Sequence, residues 1–519
     1  PPRDPATLPP AHGTFQIGHP DAAVWYLDFL LNAARVRHAE HVSVEAARRE
    51  GLRARVGDRL DNLRVTGPDA ARQLEALRAL PSLDAMKAAS ILAHFDVVPA
   101  VAADADQWAA GEIPTELAGA IEGTIVQASQ IDELGWVVVG GPGPNRYDLG
   151  RIAAVFELGG DDRYDWRQGA AAHRLVVDLA GNDLHAGGDS LGPAGALGAV
   201  AVIDDLAGDD RYEGGALTAG SALGVSAIID RAGNDRYEGG SWSLGAAAGG
   251  ASVVVDLAGS DRFRGEGMAL GVGGPFAVGA VVDVAGDDRS ELGERPSVYG
   301  VEGERAGFGM GFGFGFRLSA PGGVGAYIDL AGRDHRRSGE FAQGCGYYFG
   351  LGLLFDAEGD DTASCDRYGF GGGAHQAAGV MIDAAGNDSY TAKTAAHLGG
   401  AWDETVAIFV DSAGDDSYRC DGLSLGGAAQ QALAWFVDRS GNDLYRAGGA
   451  AIGGASGNEY HFAALRLGSL GLFCDLAGDD RYPSGTAREL RNGTTLRSGE
   501  AATEQFVGLD WVFIDRDAQ

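Results

Sequence analysis

A short motif, D-x-A-G-x-D-x-Y, returns along most of this chain, as in "IIDRAGNDRYEGG" from Ile228 to Gly240. Its two aspartates have the chemistry of cation ligands, and their spacing from the central glycine is constant. Three residues before that glycine stand Asp178, Asp205, Asp230, Asp256, Asp283, Asp329, Asp356, Asp383, Asp411, Asp438 and Asp475. Two residues after it stand Asp183, Asp210, Asp235, Asp261, Asp288, Asp334, Asp361, Asp388, Asp416, Asp443 and Asp480.

If the repeats stack, each set becomes a column. Neighbouring carboxylates one coil apart, at ~4.8 Å, repel by roughly 3.5 kcal/mol at an effective dielectric of about 20. Such columns need a counter-charge. Arginine follows the second acid at Arg163, Arg211, Arg236, Arg262, Arg289 and Arg481, but Leu184, Ser389, Ser417 and Leu444 hold the same place elsewhere. Turn chemistry alone would let asparagine replace aspartate. Between the glycine and the second acid it does: Asn182, Asn234, Asn387 and Asn442 alternate there with Asp209, Asp287, Asp360, Asp415 and Asp479. At the flanking positions named above, from Asp178 to Asp475 and from Asp183 to Asp480, no asparagine occurs, so these positions select the carboxylate itself. A hard cation answers that need, and calcium accepts flexible, oxygen-only ligation more readily than magnesium. Solvated turns partly paired with arginine are the competing explanation.

A second candidate lies where the pattern breaks. Seven and eight residues before the first aspartate, most coils carry small or apolar pairs such as Leu197-Gly198, Ala248-Gly249 and Tyr348-Phe349. Three successive coils carry His375-Gln376, Asp403-Glu404 and Gln430-Gln431 instead. Stacked, these six would form a polar patch suited to acid/base work on a glycosidic bond, to a metal, or to a carbohydrate groove. A hydrated outer face is the plain alternative. "GDSLG" at Gly188 and "GLSLG" at Gly422 match the G-x-S-x-G nucleophile elbow, yet both occupy a segment that elsewhere reads "SWSLG", and no strand-to-helix context supports them. They read as ladder positions. The run "GFGMGFGFGF" alternates Phe308, Phe312, Phe314 and Phe316 with small residues and reads as a flap on the solenoid or an extended sheet; left exposed, it would be a sticky surface.

The elements that hold these residues follow from the repeat length. The central glycines run from Gly160 to Gly478, mostly 25 to 28 residues apart, with longer steps that place insertions near 289–320 and 449–470. Each unit has a β-rich run such as "SVVVD", a polar turn, an "RYEGG" segment and a small-residue stretch, without an amphipathic helix pattern. Parallel strands need a long connection. Here the other faces of the same coil supply it, which predicts an all-β solenoid, a parallel β-helix of right-handed coils of about 27 residues. A propeller blade takes roughly 40 residues, which makes that architecture the second choice. Residues 1–135 are poor in glycine and carry helical spacing, such as Leu27, Leu30, Leu31 and Ala34, and they read as an α-helical N-terminal cap domain on the solenoid of 136–519.

Composition narrows the function. Hydrophobic content of 45% speaks for a folded chain, and no apolar run approaches the roughly 18 residues of a membrane helix. A net charge of −33 makes nucleic acid a poor partner, because phosphate recognition relies on Lys and Arg. The four cysteines are too scattered for a disulfide scaffold or a zinc site, and no signal peptide is legible at "PPRDPATLPP". The "AGNDRY" and "AGDDRY" cores resemble the hemolysin-type (RTX) calcium-binding nonapeptide, G-G-x-G-x-D-x-U-x, with Gly233, Asp235 and Tyr237 at its later glycine, its aspartate and its apolar position. That resemblance covers a few residues per coil over roughly 150–482 and implies an extracellular solenoid holding calcium between turns. The chain departs from the family in lacking the preceding glycine pair, in carrying one motif per coil of about 27 residues, and in adding the first aspartate. Two function classes follow. The first is a calcium-stabilised, secreted or cell-surface (or periplasmic) structural and binding solenoid with a protein or polysaccharide partner. The second is a β-helix polysaccharide lyase or hydrolase working at the patch of His375, Asp403, Glu404, Gln430 and Gln431 or beside the aromatic insertion.

Overall fold

The computed structural model describes residues 110–131, 134–167, 173–293, 295–316, 320–448, 452–456, 468–483, 492–497 and 510–516. Within them the chain is a parallel β-solenoid. A representative coil runs from a strand at Val225–Asp230, through the Gly233 turn, to Arg236–Ser243 and the short Ala246–Ala248, before the next coil begins at Ala251–Asp256. Each strand pairs with its equivalent one coil on, so three sheet faces run along the molecule, the shortest in a three-stranded and a six-stranded piece joined by single bridges at Gly273. The long sheet holds the strands that end on the first aspartate, the aromatic sheet those that follow the second, and the short sheet closes the coil.

Alternation in the long sheet sets the core. In Val225–Asp230 the second, fourth and sixth residues are buried, and the same pattern recurs down the sheet. The fourth residues form an inward column that includes Val254, Val281, Tyr327, Leu354 and Met381, and packs against the aromatic column. In that second column Tyr212, Tyr237 and Phe263 stack with ring centroids 4.9 and 4.6 Å apart, and Tyr390, Tyr418 and Tyr445 stack at 5.5 and 5.1 Å. Between the two stacks Ser290, Arg336 and Ala363 take the aromatic's place. Tyr327 in the facing column fills the space that Ser290 leaves, their hydroxyls 2.8 Å apart.

The central glycine answers a need beyond the positive φ that turn chemistry suggests. A Cβ on Gly233 would lie 1.7 Å from the carbonyl oxygen of Gly208 in the preceding coil, and one on Gly286 would lie 1.5 Å from that of Gly259. The close approach of one turn to the next excludes any side chain. Gly160 at φ 135° and Gly259, Gly332, Gly359 and Gly414 at 151–158° add a positive φ to that need, and corner residues such as Trp242 and Leu244 have positive φ as well.

One expectation changes, and one open reading is decided. The helical N-terminal domain falls mostly on residues 1–109, outside the described residues, and the described stretch that follows is strand rather than helix. Only a 3-10 turn at Thr115–Leu117 interrupts it; Ile125–Ile131 forms an antiparallel pair with Gly135–Gly140 at the start of the long sheet. The insertion near 289–320 resolves into a hairpin, Arg295–Pro296 against Arg305–Gly309, after which the chain rejoins the coil. Of the two readings of the phenylalanine run, the extended sheet holds: Gly313–Phe314 is a strand of the short sheet, and Phe308, Phe312 and Phe314 are buried with Trp242 and Phe341 in a second core. Most of the insertion near 449–470 lies outside the described residues. Among the described residues no helix is long and apolar enough to cross a membrane.

Candidate cation site in an aspartate spine

Strand register puts the first aspartates in one column. Asp178 pairs with Asp205, Asp205 with Asp230, Asp230 with Asp256 and Asp256 with Asp283. The column continues from Asp283 to Asp329 across the insertion, then through Asp356, Asp383, Asp411 and Asp438 to Asp475. Glu157 heads it, paired with Asp178. Sequence alignment missed Glu157 because a glutamate stands in the aspartate's place, although Gly160 marks the register.

The second column is a hydrogen-bonded chain. The backbone N–H of Asp183 donates to Asp210 Oδ1 at 2.6 Å, Asp210 N–H to Asp235 Oδ1 at 2.6 Å, and so on to Asp443 N–H and Asp480 Oδ1 at 2.8 Å. One carboxylate oxygen per residue is thereby satisfied. The other, Oδ2, is buried without a hydrogen-bond partner in Asp162, Asp183, Asp210, Asp235, Asp261, Asp288, Asp334, Asp388, Asp416, Asp443 and Asp480. Asp361 Oδ2 instead accepts from Arg336.

First-column carboxylates are served unevenly. Tyrosine hydroxyls donate to them, Tyr212 to Asp230 at 2.7 Å and Tyr237 to Asp256 at 2.6 Å, while Tyr418 bonds both Asp411 and Asp438. In Asp205 and Asp283, where no tyrosine reaches, both oxygens lack a donor. Every aspartate of both columns is at most 6% exposed.

Three carboxylates converge between successive turns. Asp183, Asp205 and Asp210 bring ligand oxygens within 4.8 Å of one another, as do Asp210, Asp230 and Asp235, and Asp235, Asp256 and Asp261. Each trio joins the second aspartate of one coil to both aspartates of the next. Burial drives these acids toward the protonated form: Asp210 is pushed up to about 9, with Asp205 adding to it, and Asp261 to about 8, with Asp256 adding. The first column moves the same way; burial pushes Asp230 to about 7 and raises Asp178 well above the carboxylate range. His185, in the aromatic column beside Asp205, is pushed down to about 4 by burial and is neutral at physiological pH, so it brings no counter-charge.

Two positions show what the spine lacks. At its start the second column holds Asn145, whose Oδ1 takes the backbone bond from Thr124 at 2.6 Å while its Nδ2 donates to Glu157 at 3.2 Å. An amide thus fits the position and supplies the missing donor. In the middle, Arg336 replaces the aromatic and is 1% exposed, its guanidinium 2.9 Å from Asp361 and 3.5 Å from Asp329 and also paired with Asp356. Burial opposes its charge, but the Asp356, Asp361 and Asp329 carboxylates outweigh that and hold it firmly protonated. Asn145 answers a Glu157 oxygen and Arg336 answers Asp361 Oδ2; in the other coils the second column keeps aspartate with no donor for its Oδ2.

The donor set is oxygen-only, buried and anionic, which fits a hard cation such as calcium. Each trio offers three carboxylate oxygens, about half of the 6–8 ligands calcium takes. A proton shared within each pair is the alternative.

The polar patch also assembles, at a corner between the short and long sheets. His375 Nδ1 bonds Asp403 Oδ2, and Gln376 Nε2 donates to Glu404 at 2.8 Å. His375, Gln376, Asp403, Glu404, Gln430 and Gln431 all have positive φ, between 54° and 67°, as the central residues of a type I′ turn do. Asp403 is fully buried and Gln430 is 6% exposed, so the patch is partly an internal corner network. Of the two elbow-like serines, Ser424 is buried and bonds the backbone oxygen of Asp421 at 3.0 Å, as a ladder residue does.

A polar groove of ≈ 880 Å³ crosses several coils beneath the insertion hairpin. Gly214, Gly215, Gly239, Gly240 and Gly265 line it together with Asp189, Glu238, Arg264, Glu266 and Arg295. Comparison with protein-family models, with curated proteins and with solved structures finds no match for this chain.

Proposed function

We propose that this protein is a calcium-stabilised structural and binding solenoid of the cell exterior, with cations between its turns neutralising the aspartate spine. The reading rests on the second column's buried Oδ2 atoms. Asparagine would satisfy those positions by hydrogen bonding, as Asn145 does, yet the column keeps a carboxylate in every later coil. A residue set that retains charge where an amide would fit is selected for binding charge. Exterior calcium is abundant enough to fill sites of modest affinity, those in the 10⁻⁴–10⁻³ M class. The rigid spine would then present the glycine-lined groove, whose carboxylates and guanidinium groups suit the hydroxyls of an extended polysaccharide or a polar protein segment.

The test is thermal unfolding of chelated protein with and without millimolar calcium, with bound metal counted on the same sample. A calcium-dependent rise with several ions per chain supports the reading. Equal melting temperatures and no bound metal would sink it.

A second reading, a carbohydrate-active enzyme, draws on the His375–Asp403 hydrogen bond, because a carboxylate that orients an imidazole is the arrangement of an acid/base pair. Its test is glycan cleavage by the parent and by the D403N/E404Q double variant; unchanged cleavage would remove the patch from any mechanism.

A further inference from the structure

The outward side of the long sheet is apolar without interruption. In nine consecutive strands, from Val225–Asp230 to Leu470–Asp475, the first, third and fifth residues point away from the core, and each is Ala, Val, Ile, Leu, Phe, Trp or Cys. Val278 is 52% exposed, Leu351, Val406 and Trp435 39% each, and Leu470 37%. Eight coil steps give a face roughly 38 Å long and about 17 Å wide. That is around 600 Å², at or above the largest apolar patch of a typical monomer.

The same face is closed at its N-terminal end. The corresponding outward residues of the first coils, Leu175, Val177, Val200 and Val202, are 0–3% exposed, although their strands continue the same sheet in register. The preceding chain enters at that end: the N–H of Gly111 donates to Ile125 of the sheet's first strand at 2.7 Å. Before it lie 109 residues outside the described structure. They carry 12 of the 40 basic and 14 of the 73 acidic residues, a net of −2 in a chain of −33. The strongly acidic character therefore belongs to the solenoid. A second copy on this face would bring two such acidic bodies together, whereas the N-terminal segment brings almost no net charge.

We infer that residues 1–109 dock on the outer face of the long sheet of the same chain and shield its apolar rows from water. Length and pattern match the task. Two helices of about 25 residues, each ~38 Å long and ~10 Å across, would cover the face, and Leu27, Leu30, Leu31 and Ala34 have the spacing of one apolar helical stripe. The segment is then a lateral shield rather than an end cap.

The test uses the full-length chain with a benzophenone side chain placed at Leu351, and separately at Val406, both outward and exposed, so the fold is not at stake. Light- and heavy-isotope chains are mixed before irradiation, and the cross-linked peptides are mapped. The expected result is a cross-link within one chain from each probe to a peptide inside residues 1–109. Cross-links between light and heavy chains that join the two sheet faces would overturn the inference in favour of a dimer. Probes that form no cross-link to 1–109 and react only with solvent would overturn it as well.

Discussion

Replacing Arg336 by methionine keeps the length of the side chain and removes the spine's internal cation. In the parent the guanidinium faces Asp329, Asp356 and Asp361, all at most 3% exposed. Breaking a buried pair by removing one partner typically costs about 3–5 kcal/mol. An independent route gives a similar figure. If one orphaned carboxylate escapes by taking a proton, raising it from an unfolded pKa near ~3.9 costs about 4 kcal/mol at pH 7 and only about 1.5 kcal/mol at pH 5. The loss from Arg336→Met should therefore shrink by more than half between pH 7 and pH 5. The assay is urea unfolding followed by tryptophan fluorescence, with chelator and then with millimolar calcium. Arg336→Tyr, which restores the repeat's own residue, should lose comparable stability in chelator and recover part of it with calcium. If Arg336→Met unfolds at the parent's urea concentration in chelator at pH 7, or if its loss is the same at both pH values, the argument that the spine needs positive charge is refuted.

Other expectations follow from the same geometry. Burial holds Asp210, Asp388 and Asp475 at about 9, and Asp235 and Asp443 at about 10, against ~3.9 unfolded. The native metal-free chain thus binds more protons than the unfolded one. Its stability should be greatest below about pH 4 and fall as pH rises toward 9–10, by about 1.4 kcal/mol per pH unit for each retained proton; calorimetry from pH 5 to 9 in chelator checks this, and a flat profile would contradict it. Asp235→Asn keeps the backbone bond to Asp210 and places an amide where Asn145 has one, so metal-free stability should rise while the calcium-dependent gain falls, because Asp235 belongs to two trios. Calorimetry with a metal count separates these, and an undiminished calcium gain would exclude Asp235 as a ligand. Gly286→Ala puts a Cβ 1.5 Å from the Gly259 carbonyl and should destabilise by at least the 1–3 kcal/mol typical of overpacking, read as a lower urea midpoint.

Much of this architecture is written in the repeat. A period of 25 to 28 residues, a β-rich run ending on aspartate and a glycine turn specify a stacked coil, because equivalent residues in such a coil must pair with one another. The columns follow at once, and register bears them out from Asp178 to Asp475. Other features need the third dimension. The glycine's reason is contact with the turn above it, which no local pattern reports. The phenylalanine run reads equally as a packed flap or an extended sheet until strand pairing shows it rejoining the coil. Arg336 reads as one arginine among many; only stacking places it beside carboxylates from two coils, Asp329 of one and Asp356 and Asp361 of the next.

The sequence by itself thus determined the solenoid and which residues form its ladders, since period and alternation are local and repeat in every coil. Tertiary structure alone decided that the ladder carboxylates are sealed from water with one oxygen unanswered, and that an apolar sheet face stays partly open. Both depend on what stands across from a residue in the neighbouring turn, or over the sheet, and a linear pattern records neither.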